Sequence, residues 1–139
     1  MGIALSSCPV RRVDDGAGHH HFFGYYNKSN WDRTGRYLLA QQVPWRDVRL
    51  TPDCVAGIGY FDLEQGDRFH RVAQTRAWNW QMGSQLQWLD GMPGRKLIYN
   101  VRRDVAHRGR YPGFGSVIVD VETGERRHLA FHLRRLTRV

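Results

Sequence analysis

Short apolar runs separated by glycine-containing turns dominate the pattern of hydrophobic and polar positions along the chain. Runs of this length that are rich in β-branched and aromatic residues, with turn residues on both sides, are typical of β-strands. The pattern predicts strands over residues 37–43, 55–63, 68–73, 85–89, 96–101, 116–121 and 126–130. No segment carries apolar residues at the 3.6-residue spacing of an amphipathic helix. The predicted fold class is therefore all-β.

One phrase occurs twice. Residues 57–68 (GIGYFDLEQGDR) return as residues 115–126 (GSVIVDVETGER), so that Asp62 and Gly66 each recur 58 positions later. Each copy covers a strand, a turn and the start of the next strand. Glycine in such a turn permits the left-handed conformation that closes a short hairpin. A repeat of this length predicts two copies of one sheet unit.

The segments outside the predicted strands set the domain boundaries. Residues 1–18 are predicted to be an irregular N-terminal lead-in, and residues 131–139 a basic C-terminal tail. Between them lie the two units, over about residues 19–80 and 81–130. Residues 102–114, which contain arginine, glycine and proline, are predicted to form the least structured loop inside the domain.

Composition places the chain among globular proteins of one domain. It has 139 residues, of which 41% are hydrophobic and 24% charged, and this balance excludes an intrinsically disordered chain. The net charge of +8 raises the question of nucleic-acid binding. Its arginines are scattered through loops and strand ends, however, and only the tail is locally basic. A nucleic-acid partner is therefore not predicted.

Cysteine usage and hydropathy bear on the compartment. Cys8 and Cys54 are isolated and lack the spacing of a disulfide scaffold or a zinc site, so both are predicted to be free thiols. No run approaches the length of a membrane span, and residues 1–10 lack the basic and apolar regions of a signal peptide. A cytoplasmic location and no membrane partner are predicted.

Two motifs resemble a known repeat. The phrase Asp-x-x-Gly-Arg-x-Leu occurs at residues 32–38, and Asp-Leu/Val-Glu-x-Gly occurs at residues 62–66 and 120–124. Both resemble the blades of TolB-type and WD-like β-propellers. Residues 20–28 (HHFFGYYNK) also resemble the opening of a set of uncharacterised bacterial propellers that are distantly similar to oligogalacturonate lyases. The resemblance implies about two four-stranded antiparallel propeller blades, which is an incomplete β-propeller.

An incomplete propeller is expected to need partners that cover its blades. Propellers close with about four to eight blades, whereas only two are predicted here. The chain is then expected to be the N-terminal part of a longer propeller; the alternative is a small protein that assembles blades from several copies. The predicted partners are accordingly the missing blades or a second copy, bound through exposed blade edges, together with a carbohydrate or protein ligand.

Aromatic and basic side chains provide the candidate binding site. Aromatic rings stack on the CH faces of sugars, and arginine or lysine pairs with uronate carboxylates. Trp45 belongs to this set, and Trp31 and Trp88 are instead predicted to lie in the core between the units. The candidate ligand-binding residues are His20, His21, Tyr25, Tyr26, Lys28, Arg46, Trp78 and Trp80.

The three consecutive histidines are not predicted to bind a metal ion together. In an extended chain His19 and His21 face one side and His20 the other, so the three cannot bind one ion without a turn. No metal site and no cofactor are predicted for this chain. The resemblance implies a divalent metal for a full-length lyase-like protein, with its ligands in later blades.

The function predicted from these residues is a ligand- or protein-binding module without independent catalysis. No Ser-His-Asp arrangement, phosphate-binding glycine loop or pair of catalytic carboxylates stands out in the sequence. The alternative is that the chain is the N-terminal part of a metal-dependent polysaccharide lyase of the oligogalacturonate type.

Overall fold

The computed structural model describes residues 7–14, 18–91, 95–107 and 111–130. Within these ranges every regular element is a β-strand, which confirms the all-β prediction. The strands form two four-stranded antiparallel sheets, and neither sheet closes on itself. Sheet one contains β1 (His20–Phe22), β2 (Tyr37–Val43), β3 (Ala56–Asp62) and β4 (Arg68–Thr75), paired in that order. Sheet two contains β5 (Gln87–Trp88), β6 (Lys96–His107), β7 (Tyr111–Asp120) and β8 (Arg126–Ala130), again in chain order.

The predicted loop over residues 102–114 is wrong. Strand β6 continues to His107 and β7 begins at Tyr111, and Arg102 pairs with Phe114 and Arg103 with Gly113. The register shifts between Arg103 and Ala106, so the long hairpin contains an irregularity there. Glycine and proline are tolerated in this position because a bulge relaxes the demands of the ladder.

The two turns of the repeated phrase have the same structure. In each, an aspartate at the end of the third strand accepts a hydrogen bond from the backbone N–H two residues later: Glu64 donates to Asp62 at 3.1 Å, and Glu122 to Asp120 at 3.0 Å. Both hairpins then turn through a glycine with positive φ, 74° at Gly66 and 76° in the second copy. The hairpins also join the third and fourth strands of their own sheets.

A cross-strand backbone bond repeats as well. Leu63 N–H donates to the Arg36 carbonyl at 3.1 Å, and Val121 N–H donates to the Arg95 carbonyl at 2.9 Å. These positions differ by the same offsets as the repeated sequence phrases. The repeat read from the sequence is therefore a repeat of structure.

The sheets pack face to face around one core. Side chains alternate along a strand, so each strand of sheet one presents one set of residues to sheet two and the other set away from it. Rings meet across the interface: Trp88 lies 5.9 Å from Tyr60 and 6.5 Å from Tyr37, and the Arg95 guanidinium lies 3.7 Å above the Tyr37 ring. The buried core residues are Tyr37, Leu39, Ile58, Ala73, Leu86, Trp88, Leu97, Tyr99, Val117 and Val119.

The stacking is head to tail. Trp31 bridges Leu38 in the first repeat as Trp88 pairs with Leu97 in the second, so the two tryptophans are equivalent. Trp88 is only 8% exposed because sheet one covers it, which confirms its predicted core position. Trp31 is 45% exposed, so the prediction that it lies in the core is wrong. It occupies the same position on a sheet that has no other sheet in front of it among the described residues.

The remaining segments add few contacts. Arg11 donates to Asp67 at 3.1 Å, which places the lead-in beside the turn between β3 and β4. Cys8 and Cys54 are free thiols, as predicted. The described ranges contain no helix with the length and apolar character needed to cross a bilayer. The predicted basic tail, residues 131–139, lies outside the described residues.

Candidate functional site

Four aromatic rings gather at one end of sheet one. Trp78 and Trp80 lie on the loop between β4 and β5, with ring centroids 5.0 Å apart. Phe22 of β1 lies 5.5 Å from Trp78 and 5.3 Å from Trp80, and Trp45 stacks on Trp78 at 6.0 Å. We call these four residues the aromatic cluster. In an antiparallel sheet the loops after β2 and β4 leave the same end, which is why residues so far apart in sequence meet there.

Both indole N–H groups of the loop after β4 bind the loop after β2. Trp78 Nε1 donates to the Cys54 carbonyl at 2.9 Å, and Trp80 Nε1 donates to the Val48 carbonyl at 3.0 Å. Partly buried indole N–H groups need such acceptors. The cluster therefore holds the two loops together, and its two indole N–H groups already have acceptors within the chain.

A buried glutamine fixes the loop after β4 against β1. Gln41 is 0% exposed; its amide donates to the Phe23 carbonyl at 2.6 Å and accepts from Ser84 N–H at 2.8 Å. Gly83 has φ of +58°, and a Cβ there would lie 2.1 Å from the Gln41 amide nitrogen. Only glycine fits this contact, so the loop carrying the tryptophans has one position relative to the sheet.

The outer surface of the cluster is open. Trp80 is 37% exposed and Val48 is 41% exposed. The Arg46 side chain is 75% exposed, and its nearest acidic oxygen, on Asp47, is 3.9 Å away. An ion pair this long and exposed holds an arginine weakly. Arg46 is thus available to a ligand that lies on Trp80.

A small cavity lies at the same end of sheet one, at the boundary with sheet two. Its volume is about 220 Å³. Two arginines, Arg76 and Arg102, line this cavity, and Arg76 precedes Trp78 by two residues. The Arg102 guanidinium lies 3.5 Å from the Pro52 carbonyl. Its lining is Val55, Gln74, Thr75, Arg76, Val101 and Arg102.

Sequence reasoning missed the two cavity arginines and Phe22. Arg76 and Arg102 belong to different repeats and meet only because the sheets stack. Phe22 had a signal in the sequence, since it alternates with His21 along an extended segment.

The two predicted histidines lie on opposite faces of β1. The His21 ring contacts Phe61 at 4.9 Å and Phe69 at 4.8 Å, and its Nε2 lies 3.0 Å from the Gln42 amide nitrogen. This face is the one turned away from sheet two, so His21 is separated from the aromatic cluster by the sheet. His20 is exposed at the start of β1, on the same face as Phe22.

Tyr25, Tyr26 and Lys28 form a second group beside the turn Asn79–Gly83. The tyrosine ring centroids lie 4.2 Å apart with the rings tilted by 35°, and their hydroxyls hydrogen bond at 3.1 Å, which raises the pKa of Tyr25. Tyr26 is 85% exposed. The Lys28 ammonium donates to the Gln85 side-chain oxygen. The described contacts join the tyrosines to each other, whereas the tryptophans contact Phe22 and Trp45.

A larger cavity lies at the opposite end of the sheets. It measures about 560 Å³ and is bounded by Asp32, Arg33 and Thr34 on one side and by Asp90, Lys96 and Glu122 on the other. None of the eight predicted ligand-binding residues lines it.

Two ion pairs lie around this larger cavity. Lys96 binds Asp120, and the Arg95 guanidinium lies 3.6 Å from Glu122. The lysine hydrogen bond lowers the pKa of Asp120. Burial would raise the pKa of Asp32, but hydrogen bonds from Thr34 and from backbone N–H groups outweigh it and lower that pKa. A charged ligand that binds Lys96 here would compete with Asp120, its partner within the chain.

Among the described residues, no three histidine, cysteine, aspartate or glutamate side chains lie close enough together to hold a metal ion.

Comparison with known proteins gives no relative. No protein-family model, no curated protein and no solved structure matches the chain significantly. The similarity to TolB-type propellers therefore stays a prediction, and the function rests on the geometry of this chain.

Proposed function

We propose that the protein is a ligand-binding module of the β-propeller type, whose two sheets are adjacent blades and whose ligand lies on the loop end of sheet one. The ligand class is an acidic carbohydrate. The observation that carries the proposal is that the aromatic cluster and a cavity with two arginines lie at the same end of sheet one, with Arg76 two residues before Trp78.

The blade assignment is supported by how the two sheets repeat and stack. Each is a four-stranded antiparallel meander, and the second follows the first along the chain. They pack head to tail, so the same strand positions face the same direction in both. Propeller blades repeat radially in this manner. Ligands of repeat proteins commonly bind at loops gathered on one face of the rigid scaffold.

The ligand class follows from the chemistry of the loop end. Trp80 offers an exposed aromatic face, and pyranose rings present CH groups that pack on such a face. Arg76 and Arg102 offer planar donors that match a carboxylate. An oligosaccharide that carries uronic acids satisfies both surfaces at once. A neutral sugar would use the tryptophan and offer the arginines no carboxylate.

Titration with two matched oligosaccharides tests this proposal. A galacturonic acid oligomer is expected to change the tryptophan fluorescence in a saturable manner, and the neutral galactose oligomer of equal length to bind more weakly. Arg76→Gln is expected to weaken binding of the acidic oligomer by about tenfold, the loss of one charged hydrogen bond. Trp80→Ala should abolish the saturable change.

The control for this experiment is Trp31→Ala, which removes another exposed tryptophan at a distance from the loop end. It should lower the total fluorescence and leave the affinity unchanged. Equal binding of both oligomers, or equal losses in the Trp31 and Trp80 variants, would refute the acidic-carbohydrate proposal.

The lyase alternative remains a separate prediction. It requires formation of an unsaturated product, which absorbs in the ultraviolet, from the same galacturonic acid oligomer with a divalent metal added. Binding without any gain of absorbance is the outcome that the module proposal expects.

A further inference from the structure

Each of the two stacked sheets has one face that points away from the other sheet. Front face denotes the side of sheet one that points away from sheet two, carrying Trp31, Leu38, Ala40 and Phe61. Back face denotes the side of sheet two that points away from sheet one, carrying Ile98, Asn100, Ser116 and Ile118. The strand pairing assigns residues to these faces, because directly paired residues lie on the same face: Leu38 pairs with Phe61, and Ile98 pairs with Ile118.

The interface inside the chain shows what each outward face can bind. That interface joins the front-type face of sheet two, with Trp88, Leu97 and Val119, to the back-type face of sheet one, with Tyr37 and Tyr60. By the repeat, Trp31 is the counterpart of Trp88. Ile118, which pairs with Ile98 as Tyr60 pairs with Leu39, is the counterpart of Tyr60.

Exposure shows that the front face lacks the cover that its counterpart has. Trp31 is 45% exposed, whereas Trp88 is 8% exposed. The rings of His21 and Phe69 pack over Phe61 and leave it 2% exposed, so Trp31 is the large apolar side chain that this face exposes among the described residues.

The back face also carries an exposed aromatic ring. Phe114 is 56% exposed, while its counterpart in sheet one, Ala56, is completely buried. Ser116 donates to the Asn100 side-chain oxygen at 3.0 Å, so the polar pair next to Ile98 and Ile118 is hydrogen bonded within the face.

We propose that a second copy of this chain places its back face on the front face, and so extends the head-to-tail stack from one molecule to the next. Trp31 of one copy then packs on Ile118 of the second copy, as Trp88 packs on Tyr60 within the chain. The interface is heterologous, because two different faces meet in it. Heterologous contacts build rings where the rotation closes and open chains where it does not.

The mass of the full chain in solution tests the proposal. A single copy has a mass of 16.2 kDa. Light scattering over a concentration series should show species of at least twice that mass. Trp31→Glu, which places a charge on the front face, and Ile118→Lys, which places one on the back face, should each give a single copy at every concentration.

Mixing the two variants gives the sharpest result. The Trp31→Glu chain keeps an intact back face and the Ile118→Lys chain keeps an intact front face, so an equimolar mixture should form a one-to-one dimer that cannot grow further. A contact between two identical faces predicts otherwise: one variant would stay dimeric alone, and mixing would add nothing.

Two checks separate loss of the interface from loss of the fold. Val48→Glu changes an exposed residue at the loop end, outside both faces, and should leave the oligomer intact. Far-ultraviolet circular dichroism should be the same for all variants, and the milder Trp31→Ala replaces Trp31→Glu if it is not. A wild-type chain that stays at the mass of one copy up to its solubility limit would overturn the proposal.

Discussion

Asp62 and Asp120 hold equivalent turns in the two sheets. The Arg36 guanidinium binds both oxygens of Asp62, at 2.8 and 2.7 Å, while Lys96 binds Asp120. Each carboxylate also accepts a backbone N–H of its turn. The arginine hydrogen bond is the main reason that the pKa of Asp62 is lowered, and the lysine hydrogen bond has the same effect on Asp120. These groups stabilise the fold only while they are ionised.

The sign of the resulting pH dependence follows from these shifts. A carboxyl whose pKa is lower in the folded chain contributes stability above its unfolded pKa of 3.8, and loses it as the pH falls through the folded value. The urea midpoint should therefore be flat near neutral pH and fall below about pH 4.

A substitution at Asp62 provides the test of this pH dependence. Asp62→Asn should lower the urea midpoint at neutral pH and flatten the acid decline. Asp90→Asn, at an exposed aspartate, is the control. An acid decline of equal slope in wild type and Asp62→Asn would contradict the assignment.

Gly59 is the position in sheet one where a side chain fits worst. A Cβ there would lie 2.2 Å from the His70 carbonyl oxygen and 2.7 Å from the Phe69 ring. Gly59→Ala is expected to lower the free energy of unfolding by about 2–3 kcal/mol, as overpacking does. In the control Gly66→Ala nothing lies within 4 Å, and only the strain of a φ of +74° is added, about 1 kcal/mol. Equal losses in urea unfolding would show that the β3–β4 contact is looser than described.

At the scale of elements, the repeat allows the same substitution, Trp→Ala, to be made at two equivalent positions. Trp88→Ala should cost about 3–5 kcal/mol, because it empties a buried site between the sheets. Trp31→Ala, at the equivalent position of the first repeat, should cost less than about 1 kcal/mol when measured on dilute protein. Chemical unfolding of both variants checks the pair. Similar losses would mean that sheet one does not cover Trp88.

Seven of the eight strands in the described residues were predicted from sequence, whereas β1 and the far ends of β6 and β7 were not. The observed bounds of β2, Tyr37–Val43, and β8, Arg126–Ala130, match the apolar pattern to the residue. Residues 102–114 were missed because glycine and proline lower strand propensity, while pairing between β6 and β7 decides the structure there. Strand propensity depends on a residue and its neighbours in sequence, whereas the pairing partner of a strand can lie far away in sequence.

The candidate site was predictable only in part for a similar reason. Trp78 and Trp80 could be assigned to the loop end because they sit between two strand patterns. The position of His21 on the far face of β1 follows from alternation once the strand is known. The meeting of Arg76 with Arg102 depends on how one sheet stacks on the other, and no local pattern encodes that.

At the scale of the whole molecule, the two repeated sheets share one core. Each sheet covers one face of the other. Core residues come from both sheets, and polar contacts join them: Thr75 donates to the Asn100 carbonyl at 2.7 Å, and Arg126 donates to the Val72 carbonyl at 2.8 Å. Isolated repeats are unstable for this reason, because each depends on its neighbour to cover a face. The central claim is thus that two equivalent sheets stack head to tail.

Proton–proton contacts across the interface test this claim most directly. In a nuclear Overhauser spectrum of the Trp31→Glu chain, which should not associate, the Trp88 indole protons should give cross-peaks to the rings of Tyr60 and Tyr37, whose centroids lie 5.9 and 6.5 Å away. Cross-peaks from Trp88 only to neighbours within sheet two, such as Leu97, would contradict the account.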